Sequence, residues 1–411
     1  MTTSLFTPVQ LPNGSWLPNR LAKAAMEENL ADAGQLPGET IHRLYRSWAE
    51  GGAGLIVTGN VMIDGRALTG PGGIVLEANT PLGHFTQWSQ AARSRGAQVW
   101  VQINHPGRQV LAAMGGKAWA PSAVPMALGK HSKLFAQPSA MSEDEISETI
   151  GRFAATAHAA EQAGFTGVEI HAAHGYLISQ FLSPLTNRRA DRWGGDLANR
   201  ARLLLDVVRA VRARVSAGFC VAVKLNSADF QRGGFSEEDA RQVVLWLNDL
   251  SVDLVELSGG SYESPAMQGD TADGRTLARE AYFLEFAKDL AGVATMPVMT
   301  TGGIRRRAVA EQVLNSGVAV VGMATALAVM PDLPARWQAG ADLGAHVQPI
   351  EWRDRALAGL ARMALVKRRL RTLGAGRTAP AQYSAVLTLI IDQLRTRRLT
   401  RRYRQWKQEH A

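Results

Sequence analysis

Short apolar runs that end in glycine or polar residues recur eight times along the chain. They are Leu21–Met26, Gly54–Asn60, Gln98–Asn104, Gly167–His174, Cys220–Asn226, Asp253–Gly260, Pro297–Gly303 and Val318–Thr325. Segments of helical period separate them. The clearest opens at Ser142-Glu-Asp-Glu145, a capping box that satisfies two backbone N–H groups reciprocally. Ile146, Ile150, Phe153, Ala157 and Ala160 then fall on one stripe, and Gly164 closes the helix. Strands alternating with helices make a parallel sheet, and eight such units over about 300 residues predict a closed (β/α)8 TIM barrel. A doubly wound open sheet is the competing arrangement. It wants a glycine-rich turn after its first strand, and Met26-Glu-Glu-Asn29 lacks one.

Composition narrows the class. The 46% hydrophobic and 20% charged content is ordinary for a globular chain. The start, MTTSLFTPVQLPNG, has no basic region followed by an apolar core, so no signal peptide is expected. No apolar stretch is long enough to span a bilayer. A cytoplasmic location is the expectation. The single cysteine, Cys220, excludes an intrachain disulfide and a cysteine-ligated iron–sulfur cluster. His84, His105 and His158 lack partners at ligand spacing, and no metal site is expected.

Charge separates the chain into two parts. Residues 341–411 hold 15 Lys and Arg against 5 Asp and Glu, while residues 1–340 hold 30 against 31. We therefore expect a barrel over 1–340 and a basic helical extension over 341–411. Trp352–Leu373 is amphipathic, with Leu357, Leu360, Ala364 and Leu365 near one stripe. Gly374-Ala-Gly376 and Pro380 break it. A second helix runs from about Ala381, with Val386, Leu387, Ile390 and Leu394 on its apolar side and a strongly basic end. Two readings stand: a helical hairpin that caps the barrel or joins subunits of a homo-oligomer, or docking to an anionic surface. No nucleic-acid partner is expected.

The polar residues of the barrel gather at strand C-termini, where barrel enzymes place their chemistry. They include Thr58-Gly-Asn60, Gln102-Ile-Asn104-His105, His171, His174, Lys224, Asn226, Ser258-Gly-Gly260 and Thr300-Thr-Gly-Gly303. Lys224 lies inside Val221-Ala-Val-Lys-Leu225, where an unpaired ammonium is costly, so it should face an anion or an electron-rich ring. Gln102 within Val99-Trp-Val-Gln-Ile103 needs a similar partner. In His171-Ala-Ala-His174-Gly-Tyr176, two imidazoles can donate to one oxygen with a proton donor nearby. That set suits reduction of a double bond conjugated to a carbonyl. The loops after strands seven and eight, at Gly302-Gly303 and Ala324-Thr325, are where such barrels hold phosphate on backbone N–H groups.

The ordered set of motifs resembles the Old Yellow Enzyme family of FMN-dependent ene-reductases, the NADH:flavin oxidoreductases. The resemblance covers about residues 5–335. It rests on Leu17-Pro-Asn-Arg20, Trp48-Ala-Glu-Gly-Gly52, Gln102-Ile-Asn-His-Pro-Gly-Arg108 and Ala120-Pro-Ser-Ala123. It continues through Ala163–Tyr176, Gln180-Phe-Leu-Ser-Pro184, Asn187-Arg-Arg-Ala-Asp191 and Gly194-Gly195.

The resemblance implies FMN as cofactor and NADH or NADPH as reductant. Gln102 would bond the flavin ring, Lys224 would sit at its polar edge, and backbone at Ala25, Met26 and Gly59 would touch the ring or ribityl chain. Gly302, Gly303, Ala324 and Thr325 would hold the phosphate. His171 and His174 would hold the substrate's carbonyl oxygen, and Tyr176 would protonate the adjacent carbon. The implied substrate is a small activated alkene or a quinone. The alternative activities are a quinone or diaphorase-type flavin reductase, and an electron-transfer module without an ene substrate.

Two positions depart from the family pattern. Glu27 stands where the family often has Thr or Cys beside the flavin, and is expected to alter the flavin potential. Ala324-Thr325 replaces the usual Gly-Arg, which keeps backbone donors but removes a charge, so weaker FMN binding is expected. Trp48 is expected to pack the barrel wall, and Asp191-Arg192-Trp193 to brace a loop.

Overall fold

The computed structural model describes residues 4–264 and 280–410. All eight expected strands form. We number them β1 (Leu21–Lys23), β2 (Leu55–Val57), β3 (Gln98–Asn104), β4 (Gly167–Ala172), β5 (Cys220–Asn226), β6 (Leu254–Ser258), β7 (Val298–Thr300) and β8 (Val320–Met323). Each pairs in parallel with its neighbours, and β8 closes onto β1 through Val321↔Leu21, Gly322↔Ala22 and Met323↔Lys23. The result is the closed barrel that the alternation predicts.

Helices α1 (Glu39–Glu50), α2 (Gly83–Ala92), α3 (Glu143–Gln162), α4 (Leu197–Arg214), α5 (Glu237–Leu247), α6 (Leu284–Ala291) and α7 (Arg307–Asn315) surround it. The Ser142–Glu145 capping box opens α3, and Ser236 with Asp239 makes a second one on α5. Ile146, Phe153, Ala157 and Ala160 of α3 are fully buried, as one apolar stripe requires. Trp48 is buried in the wall and donates its indole N–H to the Leu327 carbonyl at 2.9 Å. Arg189 and the Trp193 backbone N–H both bind the Asp191 carboxylate, which forms the expected loop brace.

Inside the barrel, polarity rises along the axis. Alternate residues of a strand face the same side. On β3 the inward series is Trp100, Gln102, Asn104; on β4 it is Gly167, Glu169, His171. On β5 it is Ala222, Lys224, Asn226; on β6, Leu254, Glu256, Ser258. The lower level joins a small apolar cluster with Leu55, Met299 and Val320. Val9, Leu11 and Leu17, from the hairpin pairing Val9–Gln10 with Trp16–Leu17, plug that end. The upper levels are polar and fully enclosed.

Two long helices follow, α8 (Arg355–Gly374) and α9 (Ala385–Glu409). α8 packs against α1 and α9 against α8, and the expected stripes are buried only in part. Leu357, Leu360, Val386, Leu387, Ile390 and Leu394 are all exposed. The packed side of α8 carries Ala364 and Leu365 of the expected stripe together with Ala358, Ala361 and Leu370, mostly small side chains that permit close approach. The two helices are joined by polar contacts: Arg368 donates to Thr388, and Arg371 pairs with Asp392 at 3.2 Å. Among the described residues, no helix is long and apolar enough to cross a membrane.

Candidate active site

β4 delivers His171 to the barrel mouth, and the chain then turns sharply. His174 adopts a left-handed backbone (φ 61°), and Gly175 follows at φ 72°. A side chain at Gly175 would lie 2.9 Å from Ser261 Cβ. The strained His174 is held from both ends: Asn226 Oδ1 accepts its N–H at 3.1 Å, and Gln109 donates to its carbonyl at 2.9 Å. Gln180 stitches the turn, donating to the carbonyls of Gly175 (2.6 Å) and Pro106 (3.2 Å).

This turn brings the three expected residues together. The His171 ring centroid lies 5.0 Å from that of His174 and 4.9 Å from that of Tyr176. His171 Nδ1 accepts the Ala173 N–H at 3.2 Å, so in the neutral ring Nε2 carries the proton and is the donor. Burial, then His174 and Lys224, push the His171 imidazole well below its usual pKa, and it is neutral at pH 7. Burial, then Lys224, do the same to His174. The two imidazoles are not equivalent. His174 Nε2 is already engaged with the Ser258 hydroxyl at 2.7 Å.

Tyr176 is buried, and its hydroxyl meets that of Tyr262 at 3.0 Å. Burial, then Tyr262 and Glu27, raise its pKa well above 10, so the phenol keeps its proton. Tyr262 was not singled out in the sequence, because it lies in the loop after β6 with no motif around it. Its neighbour Glu263 fixes it: Arg108 ion-pairs with Glu263, and Arg108 also donates to the Pro125 carbonyl at 2.8 Å. Glu27 faces this group, and its carboxylate accepts the Thr69 hydroxyl at 2.5 Å.

Below the mouth lies a buried set of charges. Lys224 Nζ donates to Glu256 at 2.7 Å, so Lys224 meets the anion expected of it. Gln102 Nε2 donates to Glu169 at 2.6 Å. Burial, then the adjacent Glu256, push the Glu169 carboxyl well above the usual carboxylate range. Burial opposes the Lys224 ammonium, but Glu256 and Glu169 outweigh it and raise its pKa. Outside the wall, Lys23 donates to the Val57 carbonyl at 2.8 Å and lies 3.5 Å from Glu28; burial lowers it to about 8. The Tyr45 hydroxyl donates to Glu28 at 2.6 Å and accepts the Gly59 N–H at 2.9 Å. Glu169, Glu256 and Lys23 carried the same signal as Lys224, a charge inside an apolar run.

Several buried polar atoms here have no partner among the described residues. They are Glu169 Oε1, Glu256 Oε2, Asn60 Oδ1 and both polar atoms of the Asn104 amide. Such orphans call for a polar occupant. A flavin ring edge, with its carbonyls and N–H, suits this mix of amide, acid and ammonium. On the opposite rim, Gly302 (φ 116°) and Gly303 (φ 73°) end β7, and Ala324-Thr325 ends the adjacent β8. Arg305 and Arg306 just beyond are both held by Glu280, at 3.0 and 2.8 Å. Ala25 and Met26 leave β1 between these rims. The residues present fit FMN.

Comparison with known proteins agrees. The profile of the NADH:flavin oxidoreductase / NADH oxidase family matches residues 4–343. The NADH-dependent flavin oxidoreductase iliE of Hypocrea jecorina (strain QM6a) is 37% identical over 349 residues, which is 80% of this chain and 87% of that one. The NADH oxidase of Thermoanaerobacter brockii is 31% identical over 78% of this chain, but only 49% of its own length is matched. Among solved structures, the old yellow enzyme homologue from Zymomonas mobilis superposes with a TM-score of 0.71 at 26% identity, covering 83% of this chain and 94% of that one. The chain therefore belongs to the NADH:flavin oxidoreductase / NADH oxidase family, enzymes that combine FMN with a reduced nicotinamide.

Proposed function

We propose that this enzyme reduces the C=C bond of α,β-unsaturated carbonyl compounds with NADH or NADPH. The observation that carries this reading is the grouping of a neutral His171 Nε2–H with the buried, protonated Tyr176 phenol. FMN, when bound, would supply the hydride chemistry that links the nicotinamide to the substrate's β-carbon.

The protein's residues handle charge and proton. As the β-carbon gains hydride, negative charge builds on the carbonyl oxygen. His171 Nε2–H donates to that oxygen, and preorganised donation in a water-poor site is where such stabilisation is strongest. His174 joins only through Nδ1, since Ser258 occupies its other nitrogen. A Ser258 hydroxyl that donates to Nε2 fixes the tautomer in which Nδ1 bears hydrogen. Tyr176 gives its proton to the α-carbon, and Tyr262 steadies the phenol and the phenolate it leaves. Gln102, Lys224 and the backbone of Ala25, Met26 and Gly59 would hold the flavin ring. Gly302, Gly303, Ala324 and Thr325 would hold its phosphate.

The test is product analysis in heavy water. FMN-loaded enzyme, NADH and cyclohexenone should give cyclohexanone with one deuterium on the α-carbon. If a quinone is reduced and cyclohexenone is recovered unchanged, the enzyme is a diaphorase-type reductase and this reading fails.

A further inference from the structure

The outer side of α9 presents one solvent-facing stripe that changes character halfway along. Val386, Leu387, Ile390, Ile391 and Leu394 are 38–60% exposed. Arg397, Arg398, Arg401 and Arg404 continue the same face at steps of three and four residues, and all four are exposed. Leu357 and Leu360 of α8, each 44% exposed, are further large apolar side chains left outside on the extension. The opposite side of α9 is committed to the body. Tyr403 is fully buried and donates to the Gly65 carbonyl at 2.9 Å. Arg395, Arg402 and Lys407 donate to the carbonyls of Asn29, Ala31 and Gly115. The exposed stripe is therefore not one that the helix could turn inward.

We propose that this stripe docks the protein on an anionic lipid bilayer. The apolar half enters the boundary between headgroups and acyl chains, and the arginine half lies over the lipid phosphates. An interfacial helix takes up both characters on one face. The charge distribution selects this occupant. The extension holds 15 basic against 5 acidic residues, and the rest of the chain 30 against 31. A second copy would bring two strongly positive extensions together, and the near-neutral body has no acidic surplus to receive them.

Flotation of the full-length, FMN-loaded protein with phosphatidylcholine vesicles, with and without phosphatidylglycerol, tests this. Binding is expected only with phosphatidylglycerol, and should weaken sharply at about 0.5 M salt. The triple variant Arg397→Gln, Arg398→Gln, Arg401→Gln should bind on the order of 10- to 100-fold more weakly. Leu387→Ser, Ile390→Ser, Leu394→Ser should also bind more weakly, with the salt dependence retained. Both triple variants change exposed positions, and an unchanged flavin spectrum would show that they fold. Equal binding to both vesicle types, or no vesicle binding, would overturn the proposal. So would a dimer in light scattering that the Leu and Ile changes dissociate, which would assign the face to a second copy.

Discussion

Lys224 and Arg398 mark two ways in which this chain handles charge. Lys224 is 4% exposed, on a barrel strand, with Glu256 at 2.7 Å and Glu169 beside it. Arg398 stands in solvent on the outer face of α9. Inside the barrel Lys224 and Glu256 are enclosed and answer each other, and Glu256 Oε2 is left over beside them. On the extension, charge is left outward and apolar side chains with it. Enclosure makes charge chemically useful because a low-dielectric site magnifies each interaction. Exposure makes it useful only toward something large and oppositely charged.

Breaking the barrel pair should have the largest effect. Lys224→Met leaves Glu256 buried and unpaired, and is expected to cost about 3–5 kcal/mol in denaturant unfolding. The double variant Lys224→Met, Glu256→Leu should recover most of that stability, because a buried ion pair is often replaceable by apolar residues. If the single and double variants are equally unstable, the pair is not what enclosure of Lys224 depends on.

A smaller effect concerns His105, whose imidazole burial pushes down to about 4. In the unfolded chain a histidine takes its proton near pH 6.5. Folded His105 refuses that proton, so its share of stability is complete above about pH 6.5 and is lost as pH falls toward 4. His105→Asn should therefore flatten the acid side of the stability curve by about 1.4 kcal/mol per pH unit in that window. Melting curves at stepped pH read this directly, and an unchanged slope would count against a neutral buried His105.

Tyr262→Phe removes one hydrogen bond to Tyr176. It should lower enone turnover about fivefold, consistent with one bond of about 1 kcal/mol, with flavin reduction by NADH unchanged. Smallest of all, Arg397→Gln with Arg398→Gln should move the melting temperature by less than about 2 °C. A larger shift would mean that the extension's arginines are structural after all.

Much of this was legible in the sequence because barrel strands are short and regularly spaced. Period and punctuation marked all eight, and His171, His174 and Tyr176 shared one motif within six residues. The partners were harder to see. Glu169 meets Gln102 across neighbouring strands, and Tyr262 reaches Tyr176 from a loop 86 residues away. Sequence spacing carries no record of such pairs. The inequality of the two imidazoles was likewise invisible, since it depends on Ser258 taking one nitrogen of His174. The hairpin misled for a different reason. Its apolar stripes were readable, but burial was assumed to follow hydrophobicity. Here Ala364 and Leu365 of the expected α8 stripe do pack, joined by Ala358 and Ala361, while Leu357, Leu360 and the α9 stripe face out.

Tyr176→Phe bears most directly on the central claim. Enzyme reduced anaerobically with NADH would be mixed rapidly with cyclohexenone, and the return of oxidised-flavin absorbance followed. The variant should be reduced by NADH at the wild-type rate, and its reoxidation by the enone should slow by about 10²- to 10⁴-fold. Reoxidation at the wild-type rate would contradict the account.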